Sequence, residues 1–226
     1  MKRVKKGQVK TMTPKKEDYL KIIFELGGRR NKVSNKQIAM SLNIAAGSVT
    51  EMVGKLVREG LVDHTPYAGI SLTEKGTEVA EDLVRRHRLW ETFLVDKLHY
   101  KLQDVHTDAE VLEHVTSDNL MDHLEEFLGH PEHCPHGGVI PDKSGTYREE
   151  SYHILADVPE GKTVTVDRFI DNHELLSYLD DIHINLGDRL VVGSHAPLEG
   201  PIELTYCDTG EKTSIGYKAA HYIFVK

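Results

Sequence analysis

The chain has 226 residues, 39% of them hydrophobic and 28% charged, and a formal net charge of −8; that is room for one to three domains of ordinary globular composition with a sizeable core. No run of about 20 apolar residues occurs, so no membrane span is expected, and the basic N-terminus lacks the apolar stretch of a secretory signal. The two cysteines, Cys134 and Cys207, lie in different regions, which argues against a disulfide framework and fits a reducing cytoplasm.

The charge is unevenly placed. Residues 1–76 hold 15 Lys and Arg against 7 Asp and Glu, and the remainder holds 13 against 29. A basic N-terminal third on an acidic body is the electrostatic footprint of a nucleic-acid binder. Residues 1–11 supply five of the 15 positive charges; without them the asymmetry weakens but keeps its sign.

Thr13-Pro14 followed by K-K-E-D-Y-L-K-I-I-F-E-L reads as an N-cap, a proline at the first helical position and an amphipathic helix. Tyr19, Ile22, Ile23 and Leu26 form its apolar stripe, and Gly27-Gly28 ends it. A short second helix runs from Ser34 to Leu42, with Ser34 and Gln37 placed for a capping box. A third runs from about Ala46 to Glu59, its apolar positions Val49, Met52, Val53, Leu56 and Val57 recurring near 3.6 residues, and Gly60 terminates it. Strand-like residues then flank a Pro-Tyr-Ala-Gly turn, which predicts a β-hairpin.

Three helices and a hairpin make a winged helix-turn-helix over residues 12–75, with the third helix as the recognition helix. Its outward residues near the N-terminus, Ala45, Gly47, Ser48, Thr50 and Glu51, face base edges, and Lys36, Lys55 and Arg58 are phosphate-contact candidates. The expected partner is double-stranded operator DNA, and a reader of this kind needs two-fold symmetry to span two half-sites, hence a homodimer. No membrane partner and no small-molecule substrate are expected.

A long helix follows from Thr73 to about Asp96. Thr107-Asp108 is placed to cap the next, and Ser117-Asp118 precedes a third. These helices, residues 76–141, are the expected dimerisation and metal-binding domain. It ends in H-P-E-H-C-P-H-G-G-V-I-P, whose Pro, Gly and His content reads as a linker. Residues 150–226 carry short β-like runs, T-V-T-V, R-L-V-V-G, P-I-E-L-T-Y and H-Y-I-F-V, with one short helix at N-H-E-L-L-S-Y-L-D-D and a β-turn-β element at I-N-L-G-D-R-L-V-V. A small β-barrel fits. The fold class is therefore α+β and multidomain.

The residue pattern that carries chemistry spans 87–114. His87 and Glu91 are four apart; Glu110, Glu113 and His114 are three and then one apart. Residues three and four apart share a helical face, so imidazoles and carboxylates cluster twice, as ligands of a divalent metal do. H-P-E-H-C-P-H adds one sulfur and several imidazoles within seven residues.

With these strings in register, the chain resembles the diphtheria toxin repressor family of metal-dependent transcriptional repressors, in its manganese-responsive three-domain branch. S-V-T-E-M-V-G-K-L-V-R-E-G-L-V, H-R-L-W-E, His106, E-V-L-E-H and C-P-H-G-G-V-I-P carry the resemblance, which runs from Met12 to Lys226. It implies an SH3-like C-terminal barrel and a primary metal site of Asp18, Glu110, Glu113 and His114. It also implies a secondary site drawn from His87, Glu91, His106, Cys134, His136 and Asp171. Asp18 and Glu110 stand where the iron-responsive branch has sulfur residues, and hard oxygen donors suit Mn²⁺, with Fe²⁺ or Zn²⁺ as substitutes. Lys21 stands where the two-domain manganese repressors have a further glutamate, against a closely bridged pair of ions at the primary site. The expected function is repression of manganese-uptake genes with Mn²⁺ as corepressor. An iron-responsive repressor of the same fold is the alternative. A metal-dependent hydrolase is the remote one, because neither G-x-S-x-G nor H-E-x-x-H occurs. The chain is expected not to be an enzyme.

Overall fold

The computed structural model describes residues 12–143 and 153–226. The basic leader 1–11, and residues 150–152 at the start of the expected barrel, lie outside the described residues. The chain forms two compact units, Met1–Val84 and Arg85–Lys226.

In the first unit, helix α1 (Pro14–Glu25) begins on Pro14 and buries Tyr19, Leu20, Ile22, Ile23 and Phe24. Leu26, expected in the stripe, is only half-buried at the C-cap; Leu20 and Phe24 complete the buried face instead. Helix α2 (Asn35–Ser41) opens on the capping box: the Gln37 amide donates to Ser34 Oγ at 3.2 Å and the Ser34 amide donates to Gln37 Oε1 at 2.9 Å. Helix α3 (Ala46–Arg58) buries Val49, Met52, Val53 and Leu56. Val57 is 40% exposed, because it falls on the edge of the stripe that those four already fill. Gly60, at φ 69°, takes the left-handed turn that lets the Leu61 amide reach back to Leu56 O at 3.0 Å.

Strands β1 (Val62–Thr65) and β2 (Gly69–Leu72) pair antiparallel from Val62↔Leu72 to Thr65↔Gly69. Tyr67 stands fully exposed at the tip with φ 64°. Helix α4 (Glu74–Leu98) follows directly. Thr73 joins it to the hairpin, its hydroxyl donating to Gly60 O and accepting from the Gly76 amide. A Cβ at Gly76 would lie 1.9 Å from Leu61 O, a backbone atom that cannot rotate away. Gly76→Ala should therefore lower the stability of the winged helix by about 2 kcal/mol or more, the cost of overpacking against rigid backbone. A chemical denaturation midpoint indistinguishable from wild type would contradict this.

The second unit holds residues 85–98 of α4, helix α5 (His106–Val115) and helix α6 (Asp118–Leu128). Leu89, Met121, Leu124, Cys134 and Ile140 form one cluster, and Leu94, Val105 and Ala109 another, with Trp90 and Phe93 packed against both. Arg85 ties α4 to α6 through Glu125 at 2.5 Å, and Arg86 does so through Asp118 at 2.6 Å. Thr107 and Asp108 do not cap α5. A 3-10 turn at Leu102–Asp104 runs into Val105, which is already helical at φ −75° and ψ −28°, so the helix starts at His106 without an extended capping residue. Ser117 does cap α6, and Gly129 ends it at φ 77°.

The H-P-E-H-C-P-H-G-G segment is no open linker. The Cys134 amide donates to Gly138 O at 2.8 Å and the Gly137 amide to Cys134 O at 2.9 Å, closing a tight loop. Arg88 donates to Val139 O, and a Cβ on Gly138 would meet the Arg88 guanidinium at 2.7 Å. Pro and Gly here serve close packing rather than free passage.

Strands β3 (His153–Ile154), β4 (Thr163–Phe169), β5 (Arg189–His195), β6 (Ile202–Tyr206), β7 (Lys212–Ile215) and β8 (Ile223–Val225) form one antiparallel sheet in the order β3-β8-β4-β5-β6-β7. Register shifts at Val166/Arg168 and Val192/His195 bend the sheet around Leu155, Val166, Leu190, Ile202, Leu204 and Ile223. Helix α7 (His173–Asp181), capped by Asn172, covers this core with Leu175, Leu176 and Leu179, and a short helix α8 (Tyr217–Ala220) precedes β8. The β-turn-β element expected at I-N-L-G-D-R-L-V-V has a strand only on its second side. Ile184 instead closes the end of α7, its amide donating to Leu179 O, and its side chain is buried in the core.

Candidate metal centre

Helical spacing puts His87 and Glu91 on one buried face of α4, 2% and 1% exposed. The N-terminal end of α5 supplies His106, and the next turns supply Glu110, Glu113 and His114. The tight loop after α6 supplies Cys134 and His136, both buried. Asp171 sits in the turn between β4 and the Asn172 cap of α7. All six residues expected at the secondary site come together within the second unit.

His87 lies at their middle. Its Nδ1 bonds Glu113 Oε2, and its Nε2 lies 2.8 Å from Asp171 Oδ2 and 3.0 Å from Glu91 Oε1. His106 Nδ1 bonds Asp171 Oδ2 and its Nε2 is 3.2 Å from Glu110 Oε2. His136 Nδ1 is 3.0 Å from Glu91 Oε1, and its Nε2 is 3.7 Å from Asp171 Oδ1. Distance alone does not make these last contacts hydrogen bonds. Glu91 Oε1, both ring nitrogens of His136 and Asp171 Oδ1 are buried without a correctly angled partner. Buried polar atoms left so are costly. Atoms that lie close together yet do not point at one another converge on a common space, which is how donors surround a cation.

The electrostatics agree. Burial works against the charged form of Glu91, but His136 and His87 outweigh it and hold the carboxyl well below the usual range. Burial likewise opposes charging of His136, and Glu91, Cys134 and Asp171 overcome it and push the ring well above its usual value. His106 is raised to about 9, burial opposing and the Asp171 and Glu110 carboxylates prevailing. Without a cation, protons neutralise this cluster.

The sign of the His106 effect follows. A ring raised from 6.5 to about 9 on folding stabilises the metal-free protein fully below the lower value, and that stability disappears as pH rises through the upper one. Chelator-treated wild type should therefore exceed His106→Gln in melting temperature at pH 6, and the gap should close by about pH 10. A gap independent of pH would contradict the assignment.

The primary set is divided between the units. Asp18 belongs to α1 of the first. Glu110, Glu113 and His114 belong to α5 of the second, with Glu113 wholly buried and its Oε1 3.5 Å from His114 Nε2.

In the first unit Ala45, Gly47, Ser48, Thr50 and Glu51 are exposed at the start of α3, and Lys36 is exposed on α2. Thr50 and Glu51 are engaged locally. The Thr50 hydroxyl donates to Ala46 O and accepts from Asn35 Nδ2, and Glu51 pairs with Lys55 at 2.7 Å. Sequence reasoning passed over Tyr67, which its place at the centre of the hairpin turn could have flagged. It also passed over Arg88, which no local pattern marks.

Residues 11–70 match the family profile described as iron dependent repressor, N-terminal DNA binding domain. Residues 73–142 match iron dependent repressor, metal binding and dimerisation domain, and residues 153–226 match the FeoA domain. The solved structure of the manganese regulator SloR is similar to this chain at a TM-score of 0.80 and 40% identity, over 95% of this chain and 99% of that one. The diphtheria toxin repressor of Corynebacterium efficiens is 31% identical over 173 residues, 74% of this chain and 75% of its own length. The transcriptional regulator MntR of Oceanobacillus iheyensis is 35% identical over 118 residues, 52% of this chain and 80% of its own. Among the described residues no helix is long and apolar enough to cross a membrane. A winged helix, a helical unit gathering imidazoles, carboxylates and a thiol, and a FeoA-type sheet follow one another here, and the chain belongs to the diphtheria toxin, or iron-dependent, repressor family of transcriptional regulators.

Proposed function

We propose that the protein is a manganese-dependent repressor of metal-uptake genes, acting as a cytoplasmic homodimer on operator DNA and without enzymatic activity. The observation that supports it most is the convergence of His87, Glu91, His106, Cys134, His136 and Asp171, four of them buried and His106 and Asp171 partly so, in a chain whose first unit is a winged helix. Five of those six donors are oxygen or nitrogen, the chemistry of Mn²⁺ and Fe²⁺. SloR, similar over nearly the whole chain, is a manganese regulator.

Asp18, Glu110, Glu113 and His114 would hold the corepressor ion at the primary site, as the family resemblance implies. A bound divalent cation would supply the positive charge that three carboxylates lack among themselves. Asp18 sits on the DNA-reading unit and the other three on α5. Their shared need for that charge therefore couples the reading helices to the dimer frame. Operator DNA should then tighten metal binding by the factor by which metal tightens DNA binding. Leu98, Val111, Val115, Leu120 and Phe127 leave apolar surface exposed on α4, α5 and α6, the material of a dimer interface.

The test is fluorescence anisotropy of a labelled manganese-transporter promoter fragment at fixed salt, with chelator, Mn²⁺, Fe²⁺ or Zn²⁺. Binding at least tenfold tighter in Mn²⁺ than in chelator is expected, and Glu110→Ala should abolish the difference. Equal affinity in chelator would remove the metal switch. A second reading, an iron-responsive repressor, draws on Cys134, since a thiolate favours softer ions; tighter DNA binding with Fe²⁺ than with Mn²⁺ would establish it.

A further inference from the structure

We infer that residues 1–11 are a basic arm that binds DNA phosphates beside the reading helix. The inference rests on the DNA-binding reading of the first unit but not on metal.

The segment holds Lys2, Arg3, Lys5, Lys6 and Lys10 and no acidic residue. A run of like charges with nothing among its neighbours to neutralise it is the composition of a tail that binds a polyanion. The stretch that matches the repressor DNA-binding profile begins at residue 11, so all five cations precede it.

The fold decides where the arm starts. Helix α1 begins at Pro14, and Thr13, Pro14 and Lys15 are exposed. The first turn of α1 lies along α3, because Lys16 Nζ meets Glu59 Oε1 at 2.5 Å and Glu59 is the C-cap of α3. Glu51, in the second turn of α3, is held below the usual carboxylate range chiefly by Lys55 and also feels Lys15. Glu51 is among the exposed residues near the start of α3 that are expected to face base edges. The arm thus leaves the fold next to the helix that reads DNA. Eleven residues reach at most about 40 Å, roughly one turn of the duplex.

Local energetics point the same way. Lys15 and Lys16 stand in the first turn of α1, where the helix dipole disfavours positive charge. A basic arm running into a basic helix start concentrates cations where the fold itself gains least from them. An external polyanion supplies the balance. The chain carries a competing polyanion of its own, since residues 77–226 hold 13 Lys and Arg against 29 Asp and Glu. An arm bound there would be withheld from DNA, and its neutralisation would then help DNA binding.

The experiment compares full-length wild type with a variant carrying Lys2→Gln, Arg3→Gln, Lys5→Gln, Lys6→Gln and Lys10→Gln. A third protein, with Lys2→Arg, Lys5→Arg, Lys6→Arg and Lys10→Arg, keeps the charge. Fluorescence anisotropy follows each on the labelled promoter fragment and on a random-sequence duplex of equal length, in Mn²⁺ and over a series of salt concentrations. Each phosphate contact contributes about 0.9 to the slope of log affinity against log salt. Loss of one contact or more per arm of a dimer should flatten the slope by about 2 or more and lower affinity about tenfold or more near 0.1 M salt. The loss should be equal on both duplexes, because phosphates carry no sequence information. The arginine protein should match wild type, which a fold defect from altered sequence would not allow.

An unchanged slope in the glutamine variant would overturn the inference. Tighter DNA binding by that variant would also overturn it, as the sign of an arm held against the acidic body. A loss confined to the promoter fragment would make the segment a reader of bases and overturn the phosphate role. In these three cases wild type still binds DNA, and the repressor reading stands. If wild type binds neither duplex, the DNA-binding reading falls and the arm with it.

Discussion

Glu91→Ala should cost the second unit about 3 kcal/mol or more in the absence of metal, the penalty for breaking a buried charge pair by removing one partner. The carboxylate is 1% exposed and lies 3.0 Å from both His87 Nε2 and His136 Nδ1. Burial disfavours its charge, and the two rings reverse that and hold it well below the usual carboxylate range. Such a group stabilises the fold above its unfolded value and ceases to do so as pH falls through its folded one. His136, pushed upward by the same pairing, contributes below its unfolded value and loses that contribution as pH rises. The metal-free pair is thus most stabilising near neutrality. Removing Glu91 leaves His136 buried without its nearest carboxylate, while His87 keeps Glu113 and Asp171. For a unit of this size each kcal/mol lowers the melting temperature by about 2–4 °C, so a drop on the order of 10 °C is expected at pH 7 in chelator. The rise in melting temperature that wild type shows on adding Mn²⁺ should largely vanish in the variant. If Glu91→Ala melts with wild type in chelator, the carboxylate is not the hub of the cluster.

The winged helix was readable from the sequence because its signals are local. The Ser34–Gln37 capping box, the stripe of Val49, Met52, Val53 and Leu56, and Gly60 after the last turn each lie within one element. Misreadings fell where a neighbouring element or a distant contact decides. Thr107-Asp108 has the composition of a cap, but the 3-10 turn before it delivers the chain already helical. The Pro, Gly and His of residues 130–138 look like a linker. Gly138 is small because the Arg88 guanidinium lies against it, and no local pattern reveals a neighbour 50 residues away. Ile184 alternates as a strand residue would, yet it plugs the end of α7. The metal centre divides likewise. The four-residue spacing of His87 and Glu91 is visible in the sequence itself, and Cys134 with His136 nearly so. Asp171 stands in a turn with no companion ligand nearby and entered only through the family resemblance. The grip of Glu113 on His87 spans 26 residues and two helices and was not foreseen.

That grip leads to the other large effect, that Glu113→Gln should weaken cation binding at Cys134 and His136 by about 10- to 100-fold, the usual cost of losing the carboxylate behind a metal-centre histidine. Glu113 is wholly buried. Its Oε1 faces His114, in the set implied for the primary ion, while its Oε2 holds His87 Nδ1. His87 Nε2 in turn meets Asp171 and Glu91. One carboxylate thus belongs to the primary set and, through a single imidazole, orients two donors of the secondary one. Glutamine keeps the volume, so packing is largely preserved, but it removes the charge that fixes the ring's tautomer and raises its basicity. The measurement is competition of a chelator against the thiolate-to-cobalt charge-transfer band of Co²⁺-loaded protein, which reads only the Cys134 side. Glu110→Gln makes the matched comparison. It removes the partner of His106, but the Glu110 side chain is 41% exposed, so water can replace the lost contact and a smaller change is expected. If Glu113→Gln leaves the chelator midpoint unmoved, the two ligand sets are independent. If it shifts as expected, Glu113 serves both sets, and any effect of filling one set on affinity at the other must be equal in both directions, which would let the secondary region set the metal concentration at which the primary set responds.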